Sequence, residues 1–126
     1  MLGREPDAVL GAMDLIAVFA TAEDVSQFEP NRNLIAELPL RALIVTAFGS
    51  DADFVSRWFG PGGEDTGITG SAYCSLIPYW ANRLGKITLR SQQLSPRGGT
   101  IDCELHGDRV WLFCAATKYM QCELYL

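Results

Sequence analysis

Glu64-Asp65-Thr66-Gly67-Ile68-Thr69-Gly70-Ser71-Ala72-Tyr73-Cys74-Ser75-Leu76-Ile77-Pro78-Tyr79-Trp80-Ala81-Asn82-Arg83-Leu84-Gly85 begins with two acids, passes two glycines and enters a mostly apolar segment. Ala72, Leu76, Tyr79, Trp80 and Leu84 recur at helical spacing, and Tyr73, Cys74, Ile77 and Ala81 fill most of the remaining circumference. A helix that is apolar nearly all round is normally enclosed on all sides. This one is too short, and too polar at both ends, to span a bilayer. The pattern predicts a buried helix over about residues 69–84, held inside a β structure. Ser71 or Thr69 can cap its start through a hydroxyl. Gly85 can end it in the left-handed conformation, with Arg83 near the negative end of the dipole. Pro78 removes one backbone bond and should kink it.

The front of that helix is the candidate binding site. Gly70 and its neighbours leave N–H groups without helical partners, and the dipole makes that end positive. A carboxylate or phosphate is stabilised in such a place, and glycine lets a ligand come close to the backbone. An ordinary capped helix shows the same Gly-Ser pattern, so the motif alone is a weak signal.

The 126 residues suffice for one domain, residues 1–126, with its own core. A net charge of −5 and the lack of any basic run argue against a nucleic-acid surface. Met1-Leu2-Gly3-Arg4-Glu5-Pro6 has a charged pair and a proline where the apolar core of a signal peptide would stand. A cytoplasmic location without membrane attachment is the default expectation. Cys74, Cys103, Cys114 and Cys122 form no C-x-x-C pair, and His106 is the single histidine. Zinc ligands at motif spacing are therefore missing, and no metal site is expected. Buried free thiols are the favoured reading, with a disulfide left open.

Along the chain, residues 13–20 form an apolar run that reads as a strand covered on both faces. Thr21, three residues before Asp24, resembles a capping box for a short helix over 22–28. A second short helix is expected over about 33–38, before Pro39. Residues 40–48 and 53–59 read as strands. Gly60-Pro61-Gly62-Gly63 is a breaker cluster and reads as loop. After the central helix, strands are expected over 87–94, 100–106, 109–116 and about 118–126. In the second of these, Ile101, Cys103 and Leu105 face one way and Asp102, Glu104 and His106 the other. A helix wrapped by mostly antiparallel strands makes an α+β, barrel-like fold.

Taken in order, these motifs resemble the phenazine-biosynthesis PhzF-like family, related in fold to diaminopimelate epimerase. The resemblance rests on the acidic pair Glu64-Asp65, a short bridge, and Thr69-Gly70-Ser71-Ala72 opening the helix. It continues through Pro78-Tyr79-Trp80, Leu84-Gly85-Lys86, Ser95-Pro96-Arg97-Gly98-Gly99 and Gly107-Asp108-Arg109-Val110. Leu2-Gly3, Pro6 and Asp14-Leu15 look like the start of the family's second domain. The resemblance covers essentially the whole chain and implies only the second half of such a protein. Two barrel-like halves would then enclose a cleft that carries the active site.

That resemblance implies isomerisation of a small carboxylate-bearing metabolite by proton transfer, without metal or organic cofactor. It implies Gly70 and Ser71 as substrate-binding residues and Asp65 as the catalytic aspartate. This chain has one residue more than the family's usual Glu-Asp-Pro-Val-Thr-Gly-Ser, so either Asp65 is displaced or Thr66 takes its position. The family's proton-moving glutamate belongs to the first half and matches no residue here. Diaminopimelate epimerase would place a reactive cysteine near Gly67, whereas Cys74 lies inside the helix, which disfavours a two-thiol mechanism. The alternative is a non-catalytic small-anion-binding or subunit domain of the same fold. Glu64 reads as solvated, Arg97 as a turn or surface residue within reach of an acidic ligand, and His106 as an exposed hairpin residue. In Val110-Trp111-Leu112-Phe113-Cys114 both faces of the strand are apolar. Trp111 and Phe113 should therefore form an exposed patch, which Tyr119 and Tyr125 would extend. The patch points to a homodimer or a separate first-half chain as partner; the small helices over 22–38 are the other candidate cover.

Overall fold

The computed structural model describes residues 5–64 and 67–126. Eight strands form one mixed sheet: β1 (Ala8–Gly11), β2 (Leu15–Val18), β3 (Leu43–Phe48), β4 (Phe54–Gly60), β5 (Gly63–Glu64), β6 (Thr88–Gln93), β7 (Gly99–His106) and β8 (Arg109–Phe113). Their order is β1-β2-β3-β4-β6-β7-β8, with β5 paired to the end of β4. The junctions β2–β3 and β4–β6 are parallel, and the others are antiparallel. Each parallel junction needs a crossover. The first runs through α1 (Ala22–Ser26) and α2 (Arg32–Ala36), and the second through a 3-10 turn (Gly70–Ala72) and α3 (Tyr73–Leu84).

The two crossovers lie on opposite faces. Ala17, Leu43, Val45, Val55 and Phe59 pack with Val25 and Ile35 of α1 and α2. Ile16, Val18, Ile44 and Phe54 pack with Tyr73, Leu76, Ile77 and Trp80 of α3. This is why β2 and β3 are apolar on both faces. β6 and β7 have only one covered face and accordingly alternate: Leu89, Ile101 and Cys103 face α3, while Arg90 and Asp102 pair in solvent.

Local signals work as expected at the small helices. The Thr21 hydroxyl accepts from the Asp24 N–H at 3.1 Å, and the Asp24 carboxylate accepts from the Thr21 N–H at 3.2 Å. Asn31 caps α2 by accepting from the Leu34 N–H at 3.3 Å. Gly85 ends α3 with φ +67°, a value that favours glycine. In the core, Trp80 stacks on Phe54 at 5.5 Å, and its Nε1–H donates to Thr46 Oγ1 at 3.0 Å. Tyr73 is buried, which raises its phenol above the ordinary value, and its oxygen accepts from Ser91 Oγ at 3.2 Å.

Several expectations need correction. Among the described residues the sheet does not close into a barrel; β1 and β8 are its edges. Consequently α3 is covered on one side only, and Ser71, Cys74, Pro78 and Asn82 form an exposed stripe along the other. The segment 114–126 forms no strand and is exposed throughout, because no neighbouring edge reaches it. Only Cys103 is a buried thiol, pushed up to about 12 by burial and then by the Asp102 charge; Cys74, Cys114 and Cys122 are exposed, and all four are free. Strand β1 was not among the expected strands; it is apolar but only four residues long and mostly exposed. Breaker residues Gly60 and Gly63 also pair across a β4–β5 hairpin. The helix 33–38 lies at Arg32–Ala36.

Trp80→Ala should lower stability by about 3–5 kcal/mol. Trp80→Phe should cost about 1 kcal/mol, because Thr46 Oγ1 keeps its own bond to Val55 O at 2.7 Å. Urea denaturation of both variants separates packing from hydrogen bonding. Acid stability should depend on Asp53. Partial burial opposes its charge, but Lys86 Nζ at 2.5 Å and the Arg90 N–H at 2.7 Å outweigh that and hold the carboxyl below its ordinary 3.8. A lowered folded pKa stabilises above the unfolded value and loses that contribution as pH falls through the folded one. Asp53→Asn should therefore lower the melting temperature at neutral pH, and its gap to the unsubstituted chain should narrow as pH falls below the ordinary carboxylate range.

Candidate anion-binding site at the start of α3

The chain enters α3 through a loop that other elements hold in place. Buried Gln93, at the end of β6, grips it from both ends: Nε2 donates to Gly67 O, and Oε1 accepts from the Thr69 N–H at 2.9 Å. The β6–β7 turn closes over the same loop. A Cβ on Gly67 would lie 2.3 Å from Arg97 Nη2, and one on Gly99 would lie 2.7 Å from Ile68 Cδ1. Glycine at both positions lets the turn and the loop touch. This explains why Ser95-Pro96-Arg97-Gly98-Gly99 accompanies Thr69-Gly70-Ser71 despite the distance in sequence.

The helix start has no side-chain cap, since neither Thr69 nor Ala72 makes one. Gly70 and Ser71 are the first two residues of the 3-10 turn, so their N–H groups have no intrahelical acceptor. The expected hydroxyl cap from Ser71 or Thr69 is thus corrected. The Ser71 hydroxyl is engaged elsewhere: it accepts from Arg41 Nη1 at 2.8 Å. Arg41 Nε and Nη2 donate to the two oxygens of Asp14, at 2.7 and 2.5 Å. Asp14 is 1% exposed and also accepts from Trp58 Nε1 at 3.3 Å. The bond to Asp14 outweighs desolvation and raises the guanidinium above its ordinary value, so Arg41 is a permanent cation beside the helix start.

The N–H groups of Gly70 and Ser71 therefore lie together at the helix start, beside the Arg41–Asp14 ion pair. Asp65, and Thr66 as its alternative, lie outside the described residues, as do Leu2 and Gly3. Glu64 is corrected from solvated acid to structural partner. It takes Arg57 Nε at 2.6 Å and Nη2 at 3.0 Å, while Arg57 Nη1 donates to the carbonyls of Val25, Ser26 and Phe28 behind α1. Arg97 lies against Gly67, at the loop leading to α3. His106 is an exposed hairpin residue, 2.6 Å from Glu104 and with its ring tilted against Trp111. Among the described residues no group of three His, Cys, Asp or Glu side chains could hold a metal, and no helix is long and apolar enough to cross a membrane.

Arg41, Asp14 and Gln93 hold the surroundings of the candidate site, and sequence reasoning missed them. Asp14 did leave a signal, being an acid inside an apolar run. Gln93 left none, because a glutamine near a strand end is ordinary.

Comparison with known proteins agrees with this architecture. The PhzC-PhzF family model, for phenazine biosynthesis-like proteins, matches residues 7–118. The chain belongs to that family. An uncharacterized isomerase of Pseudomonas aeruginosa is 49% identical over 112 residues, spanning 86% of this chain and 43% of its own. A second from the same organism is 39% identical over 127 residues, spanning 99% and 49%. A PhzF-family crystal structure from Enterococcus faecalis superposes with a TM-score of 0.82 at 39% identity, over 90% of this chain and 47% of that one. A putative PhzC/PhzF protein from Clostridium difficile gives 0.80 at 38%, over 94% and 49%. The chain spans about half the length of the curated relatives it matches.

Glu64→Gln should cost about 1–3 kcal/mol, the range for a hydrogen bond to a charged group. Thermal melting of the variant measures it. An unchanged melting temperature would return Glu64 to the status of a solvated acid.

Proposed function

We propose that residues 1–126 form a single domain equivalent to the second half of a PhzF-like isomerase. In this reading it presents an anion cradle to a cleft completed by a second lobe. The observation that carries the reading is the uncapped start of α3, where the Gly70 and Ser71 N–H groups lack helical acceptors beside the Arg41 cation. The ligand is a small carboxylate-bearing metabolite. Its carboxylate sits on those amides, where backbone donors and the helix dipole stabilise the extra charge that develops when a neighbouring C–H loses its proton. The proton transfer needs no metal or organic cofactor. Asp65 is the acid or base that this half contributes, with Thr66 as the alternative occupant of its position.

Chain length bears on the second reading, a subunit that binds the anion but needs a partner for turnover. The span of about half of each matched relative, together with the missing glutamate, favours little activity from this chain alone. The exposed Trp111 and Phe113, 54% and 48% accessible on the outer face of β8, support association through that strand. The small helices α1 and α2 pack elsewhere, against β3 and β4. The partner is a second copy or a separate first-half chain, in the cytoplasm.

Three outcomes are expected. Millimolar succinate should shift the amide NMR signals of Gly70 and Ser71; silence there removes the cradle. Solvent-proton exchange into carboxylate substrates should run about 10²–10⁴-fold below that of a full-length relative. Robust turnover that Asp65→Asn abolishes would instead place the chemistry in this half alone. Light scattering should give a dimer mass that Trp111→Glu returns to monomer without loss of the folded spectrum.

A further inference from the structure

We infer that residues 114–126 are a strand without its edge, and that two copies of this chain supply that edge to each other: the segment of one copy pairs antiparallel with β8 of the second, in reciprocal exchange about a two-fold axis. The inference deepens the reading of this chain as one that associates through β8, and rests on it.

Alternate residues of the segment differ in chemistry. Met120, Cys122, Leu124 and Leu126 form one row, and Tyr119, Gln121, Glu123 and Tyr125 form the other. That is the pattern of a strand with one covered face, yet Tyr119, Leu124 and Tyr125 are 98%, 85% and 90% exposed. The segment leaves β8 directly, and among the described residues β8 pairs only with β7, so its outer edge is open. Folding back onto that edge within one chain requires a turn at 114–117. The β6–β7 and β7–β8 connections turn through Gly98 and Gly107, with φ +60° and +58°. Cys114-Ala115-Ala116-Thr117 holds no Gly, Pro, Asn, Asp or Ser, the residues that turns use. A connection without turn chemistry favours exchange between copies over closure within one chain.

One register suits both faces. Continued as an extended strand, the segment keeps the faces of β8, where Val110 and Leu112 pack toward α3 and Arg109, Trp111 and Phe113 point outward. A two-fold axis at Ala116 then sets Leu112 opposite Met120 of the second copy, Val110 opposite Cys122, Phe113 opposite Tyr119 and Arg109 opposite Glu123. Apolar residues meet on the inner face, while an aromatic pair and an opposite-charge pair form on the outer one. Both kinds of cross-strand pair are stabilising. Arg109 has no ion pair among the described residues, and Glu123 accepts from the Tyr125 hydroxyl at 2.8 Å. A slip by two residues sets either Lys118 against Leu112 or Tyr125 against Arg109, and the charge pair is lost. In the favoured register Cys122 and Leu124 come over a hollow of about 310 Å³, lined by Cys74, Pro78, Leu105 and Val110 on the open side of α3. The exchange is reciprocal, so every pair occurs twice and the assembly closes as a dimer.

The test uses the whole 126-residue chain in reducing buffer. Light scattering should give a dimer mass, and hydrogen exchange should find the amides of 117–123 protected in that dimer. Arg109→Glu and Glu123→Arg should each weaken the dimer by roughly tenfold, since the pair occurs twice, and the double variant should restore it. Ala116→Asn combined with Thr117→Gly supplies a three-residue turn with glycine at its left-handed position. That variant should become a monomer in which 117–123 stay protected, because the segment then folds onto its own β8. Failure of the charge rescue, or a turn variant that remains dimeric, overturns the inference. A dimer of the unsubstituted chain whose 117–123 amides exchange freely also overturns it, but leaves association through the faces of β8 standing. A monomer with those amides protected places the segment on its own β8 and overturns the exchange. A monomer with them unprotected removes self-association as well.

Discussion

The central β strands need apolar cover on both faces, and the rest of the molecule is arranged around that need. β2, β3 and β4 expose apolar side chains above and below, so the chain must cross over each face once. The α1–α2 connection covers one face and α3 the other. The α3 side is keyed by Trp80, which lies flat on Phe54 and reaches Thr46 with its indole N–H. Stacking burial sets how close the helix lies, while the hydrogen bond sets its rotation, because a buried indole donor needs a partner. With the helix so rotated, Ser71, Cys74, Pro78 and Asn82 are left in the open.

That rotation also places the candidate site. The same helix that fills the core begins beside Arg41, which the buried Asp14 holds in place. Two buried polar groups, Asp14 and Gln93, order the start of this packing element. One holds a cation at the first turn, and the other pins the loop before it. Both are fully hydrogen-bonded, which keeps a polar group in the interior from being costly. The acidic pair is divided by the same logic. Glu64 is drawn to Arg57, which ties the β4–β5 hairpin to the carbonyl end of α1.

Among the described residues the strand path ends in two open edges, β1 and β8, and α3 has one uncovered side. In an isolated chain those surfaces carry apolar residues into water, among them Val9, Trp111 and Phe113. Relatives roughly twice as long share this architecture. An edge with unpaired backbone groups and an aromatic outer face is a natural place for further chain to pack.

Much of the fold follows from order along the chain. The central helix with its left-handed glycine end, the capping box at Thr21, the two-faced apolar strands and the alternation of β7 are all local patterns. The period of side chains and the few residues that tolerate special backbone geometry specify them without reference to partners. Gly70 and Ser71 were legible for the same reason, as a helix start followed by an apolar run. The open sheet was not, because whether β1 pairs with β8 depends on strands meeting across the whole sheet. Nor was the lack of a terminal strand, since a strand-like pattern forms one only where an edge is there to join. The Arg41–Asp14–Ser71 chain joins positions 27 and 30 residues apart, and no spacing rule connects them. Only folding brings an arginine after Pro39, an acid from an apolar run and a helix-start serine within hydrogen-bond distance. Hydrogen bonds act over about 3 Å, and sequence separation carries no information about that distance until the sheet has placed its strands side by side.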